Sequence, residues 1–173
     1  MTVTQRYGAI GLAIGLAMTM ATSVVSGHDS HDKRAPSSNA GDRTIAGVWR
    51  TMVTPRNCQT GEQVATSFPG LFTFNSHGTM SEYGIGPGSS PALRSPGHGV
   101  WQREHRWQDY SFAFTYYRYN AGGVFIGSQK VTAALELGAG GDVFTTTSGI
   151  EVFDAGGNLI ATACATAAGS RFE

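Results

Sequence analysis

Three tetrapeptides in the chain carry one signature: Asn120-Ala121-Gly122-Gly123, Gly138-Ala139-Gly140-Gly141 and Asp154-Ala155-Gly156-Gly157. A short hairpin loop needs a residue at positive φ, where glycine has no Cβ to clash, so the repeat predicts three tight β-turns. Asn75-Ser76-His77-Gly78 is a fourth turn of the same kind. From Thr44 onward no stretch of a dozen residues shows helical periodicity, and short β-branched and aromatic runs are separated by glycine-rich turns instead. The chain is therefore all-β, with strands expected near 44–53, 69–75, 79–84, 98–106, 109–119, 124–136, 142–153 and 158–168. Strands joined in order by tight turns form a meander. Eight of them predict an eight-stranded antiparallel up-and-down barrel, whose closure removes the open edges of a sheet.

Of 173 residues 24 are glycine and only 14% are charged, against roughly 25% in soluble globular chains. Lys+Arg and Asp+Glu are both 12, and the arginines are scattered. Nucleic-acid recognition, which needs clustered basic residues to neutralise phosphates, is set aside. Residues 1–26 read as a secretory signal peptide: Arg6, the uncharged stretch Gly8 to Val25, and small residues up to Ser26. An uncleaved membrane anchor is the other reading of the same stretch. Cleavage after Ser26 predicts an extracytoplasmic protein, periplasmic or secreted, with no stable membrane insertion. Residues 27–43 hold no large apolar side chain and read as a disordered tether, leaving a barrel domain over 44–173. His28, Asp29, His31 and Asp32 could chelate a metal loosely or form a solvated tail. His77, His98 and His105 have no metal-ligand spacing, so neither a metal nor a cofactor is expected.

Cys58 and Cys164 are the only cysteines, and in an oxidising compartment an even pair reads as a disulfide. Closing a loop of roughly a hundred residues contributes about 4 to 5 kcal/mol by chain entropy. Closure of the meander makes the first and last strands neighbours, and Cys58 follows the first while Cys164 lies in the last.

Strand five alternates Tyr110, Phe112, Phe114, Tyr116 and Arg118 on one face with smaller and polar residues on the other. These rings either fill the barrel or line a cavity, since eight strands enclose just enough space to be filled or to hold one small ligand. Ala161, Ala163, Ala165 and Ala167 on one face of strand eight leave room inside or complement the rings. Glu82 shares a face with Met80, and an inward carboxylate must find a partner or stay protonated. Arg94, Arg103 and His105 are further polar residues of note, and His98 sits where the Pro-rich segment 85–97 meets strand four. The leading reading is a barrel that binds a small, largely apolar molecule, with Glu82, Trp101, Tyr116 and Arg118 lining the pocket and His98 at its rim. The alternatives are an isomerase, cyclase or lyase with Glu82 or His98 as acid/base, and a filled barrel with a structural or interaction role. No nucleophile motif such as G-x-S-x-G is present.

Gly47-Val48-Trp49 opens the first strand and resembles the G-x-W that begins the first strand of lipocalins and other calycins; G-x-W recurs at Gly99-Val100-Trp101. In lipocalins that Trp closes one end of the barrel and an Arg from beyond the last strand packs across it, which the resemblance assigns to Trp49 and Arg171. No helix is expected after strand eight, and the second lipocalin motif is absent. Over residues 44–173 the chain resembles exported bacterial proteins with a lipocalin-like (calycin-like) barrel, and in architecture alone the allene oxide cyclase and dirigent barrels.

Overall fold

The computed structural model describes residues 43–86 and 88–172; the leader, the tether short of Arg43 and their histidines lie outside them. It is a closed antiparallel barrel in sequence order: β1 (Gly47–Arg56), β2 (Phe68–Phe74), β3 (Thr79–Gly84), β4 (Gly97–Arg103), β5 (Asp109–Tyr119), β6 (Phe125–Leu137), β7 (Val143–Asp154) and β8 (Leu159–Arg171). One 3-10 turn, Pro91–Leu93, interrupts the β3–β4 connection. The hairpin glycines Gly123, Gly141 and Gly157 take φ of 75°, 85° and 83°, the conformation their turns require. The first residue of two of these turns also closes its own loop. Asn120 Oδ1 accepts the backbone N–H groups of Gly122 and Val124, and Asp154 Oδ1 accepts that of Asn158.

Most strand boundaries lie within one residue of the sequence expectation, and three of the larger differences have a tertiary reason. The segment before Gly47 tucks under one end of the barrel, where Ile45 is fully buried and its carbonyl accepts the Trp49 indole N–H at 2.8 Å. β4 stops at Arg103 because residues 104–108 turn back, with the Glu104 N–H donating to the Asp109 carbonyl. β8 runs on to Arg171 because β1 offers it a partner at every rung, from Arg56↔Cys164 to Trp49↔Arg171. That seam closes the barrel, and Cys58, two residues past Arg56, forms a disulfide with Cys164, Cα–Cα 5.2 Å. A lasting structural disulfide is favoured by an oxidising environment.

The interior divides into two halves along the barrel axis. Around Trp49 the barrel is solid: Phe72, Phe74, Met80, Tyr110, Phe112, Leu135, Leu137 and Phe144 are all buried in one cluster. The Trp49 and Phe144 rings meet edge-on at 4.8 Å, and rings of this kind add packing energy beyond their buried area. Arg171 lies across this end with its guanidinium carbon 4.3 Å from the Trp49 ring centre, donating to the carbonyls of Thr44, Ala46 and Gly141. A cation placed over an indole face with its N–H groups satisfied is an effective plug. Glycines make room for these rings: a Cβ on Gly169 would stand 2.3 Å from Phe144, and one on Gly99 only 1.9 Å from the Ala113 carbonyl oxygen.

Candidate functional site

The opposite half is hollow. An inner cavity of about 70 Å³ lies above the aromatic cluster, bounded by Phe72, Phe112, Phe114, Val131, Thr146 and Ala167 among others. A mouth chamber of about 500 Å³ adjoins it, reaching Pro55, Leu93, Arg118, Tyr119, Ile126 and Ala163. Val53, Phe68, Arg94, Tyr116, Gln129, Ile150 and Ala165 border both spaces, so the two form one funnel narrowing toward the barrel centre. The rings of strand five thus do both things the sequence allowed, according to height: Tyr110 fills, while Phe114 and Tyr116 border the cavity. Alternation on β8 puts Ala163, Ala165 and Ala167 on the cavity wall, where their small side chains leave the space open.

One wall carries a buried ion pair. On β3, Met80, Glu82 and Gly84 are buried and alternate with exposed Thr79 and Tyr83, which turns Glu82 inward. Opposite it stands Gly97, where any Cβ would come within 2.7 Å of Glu82 Oε2; the glycine is what lets a carboxylate sit here. Arg94 reaches in from the β3–β4 connection. Its guanidinium donates to both carboxylate oxygens, Nη1 to Oε1 at 3.3 Å and Nη2 to Oε2, and also to the Gly84 carbonyl, while Nε donates to the Ser95 carbonyl at 3.1 Å. The Arg94 guanidinium carbon lies 3.6 Å from the centre of the Tyr116 ring. A buried pair persists when its remaining donors are satisfied in this way. Burial pushes the Glu82 carboxyl above its usual range, against the opposing pull of Arg94. Burial likewise raises the Tyr116 hydroxyl, so it remains a neutral donor at ordinary pH.

Of the residues singled out from sequence, Glu82, Tyr116 and Arg118 come together around the funnel. Trp101 lies in the solid half, its ring 6.1 Å from Phe74 and 5.8 Å from Tyr110, with its indole N–H donated to the Asn75 carbonyl. His98 is exposed on the outer face of β4, next to Ser81 on β3 and Thr115 on β5. Neither borders the funnel. His105 is exposed in the β4–β5 loop, and Arg103 donates to the Tyr110 hydroxyl at the closed end. Among the lining residues that carried no special mark in the sequence are Gln129, the direct cross-strand partner of Tyr116, and Thr146, whose hydroxyl accepts the Ala167 N–H. Alternation from Val131 and Ile150 would have placed both inside. Among the described residues no group of three or more His, Cys, Asp or Glu is arranged to hold a metal ion.

No protein-family model matches the chain, and no curated protein is similar enough to it to count as a match.

Proposed function

We propose that this is an exported barrel that binds a small, largely apolar molecule in the funnel between its mouth and its aromatic floor. The observation that carries this reading is the hollow half itself. A chain able to pack rings solidly around Trp49 has, one layer up, a wall of alanines facing Phe114 and Tyr116 across open space. Interiors normally pack to crystal-like density, so a retained cavity of this size asks for an occupant. The rim supports the same reading: Val124, Ile126, Leu159 and Ile160 are exposed at the tips of the two hairpins beside the mouth, where an apolar ligand would first make contact. Export by a cleaved leader and release into a periplasmic or extracellular space agree with the disulfide. The Arg171 stack over Trp49 is the contact that the lipocalin resemblance implies, and it supports a calycin-like relationship.

Two measurements test the proposal. Native against denaturing mass spectrometry of the protein purified from its own host should reveal extra mass that is lost on denaturation. The uncharged fluorophore N-phenylnaphthylamine should brighten on mixing with ligand-stripped protein and fail to do so with Ala165→Trp, whose ring occupies the funnel, while the far-ultraviolet circular dichroism stays that of a folded barrel. No adduct, and no uptake by the stripped wild type, would return the barrel to a purely structural role.

A further inference from the structure

The charged and polar groups on the funnel wall are not equally engaged. Arg94 is spent on Glu82, on the Gly84 and Ser95 carbonyls and on the Tyr116 ring face. Arg118 also lines the mouth chamber, and it has neither an ion pair nor a side-chain hydrogen bond among the described residues. The carboxylates at this end of the barrel are committed elsewhere: Glu151 faces Lys130 on the outer surface, Asp154 holds Asn158 in its turn, and Glu62 accepts from Thr60. The funnel wall therefore carries one net positive charge.

That charge is not isolated. Tyr116 and Arg118 share the inward face of β5 two residues apart, and Gln129 is paired with Tyr116 across β5–β6. The Tyr116 hydroxyl and the Gln129 amide likewise have no hydrogen-bond partner among the described residues, yet both side chains border the funnel. Three groups able to donate hydrogen bonds thus stand together on the β5–β6 wall, facing Ala163, Ala165 and Ile150. A guanidinium, a phenol and an amide N–H on one wall of the mouth match an oxyanion in both charge and donor type.

From this juxtaposition we infer that the ligand is a monoanionic amphiphile. Its oxyanion head, such as a carboxylate, is held at the mouth by Arg118 with Tyr116 and Gln129, and its apolar body lies along the alanine wall. The inner cavity, at about 70 Å³, is about half the roughly 150 Å³ that accepts a benzene ring. It therefore takes a narrow chain end, not a ring, and the bulk of the ligand sits in the mouth chamber.

The inference rests on the binding reading above, and displacement of N-phenylnaphthylamine by a matched pair of probes separates their failures. Decanoate and methyl decanoate share an apolar chain and differ in charge. Wild-type protein should bind decanoate about tenfold more tightly than the ester, the effect of one charge-assisted contact. Arg118→Gln should lose that preference, mainly through weaker decanoate binding, and Arg118→Lys should restore part of it, with an unchanged melting temperature confirming the fold of each. Equal affinity for acid and ester in the wild type, or a preference that survives Arg118→Gln, overturns the inference while leaving an apolar pocket standing. If the fluorophore and both decanoyl probes all fail to bind, the pocket reading falls and the inference falls with it.

Discussion

Glu82 and Arg94 set the chemistry of the funnel wall one residue at a time. Both oxygens of Glu82 accept from Arg94, so the carboxylate acts first as an anchor for the β3–β4 connection. Because burial raises its folded-state pKa above the unfolded value, its contribution to stability is fully present below the usual carboxylate range and is lost as pH rises through the folded pKa. Wild type should therefore lose unfolding free energy relative to Glu82→Gln as pH rises above the usual carboxylate range, as followed by urea titration at each pH. A difference that stays constant as pH rises would mean that Glu82 titrates normally. The inward turn of Glu82 was legible from its alternation with Met80. Arg94 as its partner was not, because twelve residues rich in proline and glycine separate β3 from β4 and no periodicity governs how such a segment folds back. Trp101 marks a second limit of pattern: a period of two assigns a face but not a height along the axis, and height decides between floor and funnel. His98 stands three residues from Trp101, and an odd spacing along a strand puts the two on opposite faces.

Among the elements, β4 is the most demanding. Gly97 and Gly99 face inward, where the first admits the Glu82 carboxylate and the second lets β5 approach so closely that an added Cβ would lie 1.9 Å from a backbone oxygen and 2.6 Å from Phe114 Cα. No rotamer change relieves a clash with backbone. Gly99→Ala should cost about 3 kcal/mol or more, at the upper end for overpacking, whereas Gly149→Ala on β7, where a Cβ meets nothing within 4 Å, should be close to neutral. Urea midpoints of the two variants test this, and equal midpoints would show that β4 can move aside. The strands themselves were nearly all readable from the turn repeat and the β-branched and aromatic runs. The errors fell at strand ends, where closure of the barrel, not local pattern, decides whether a residue finds a partner: Arg171 gained one across the seam and residues 104–106 lost theirs to a turn.

For the molecule as a whole, the division into a solid half and a hollow half separates two duties. Rings plugged by Arg171 hold the fold, and small residues near the mouth leave space, so substitutions that fill the funnel need not unfold the protein. The seam that completes the barrel has a further consequence, which concerns time. β1 cannot pair on one side until β8 exists, and the two cysteines that lock this seam lie 106 residues apart. The first strand must wait for the last, and the search that brings them together is a long-range closure of the kind that slows folding. A chain denatured with its disulfide intact has already made that encounter. It should regain buried-tryptophan fluorescence several-fold faster in stopped-flow refolding than the reduced and alkylated chain. If the two rates were the same, closure of the seam would follow the slow step. A faster oxidised chain would instead make formation of the disulfide the event that commits each molecule to its barrel.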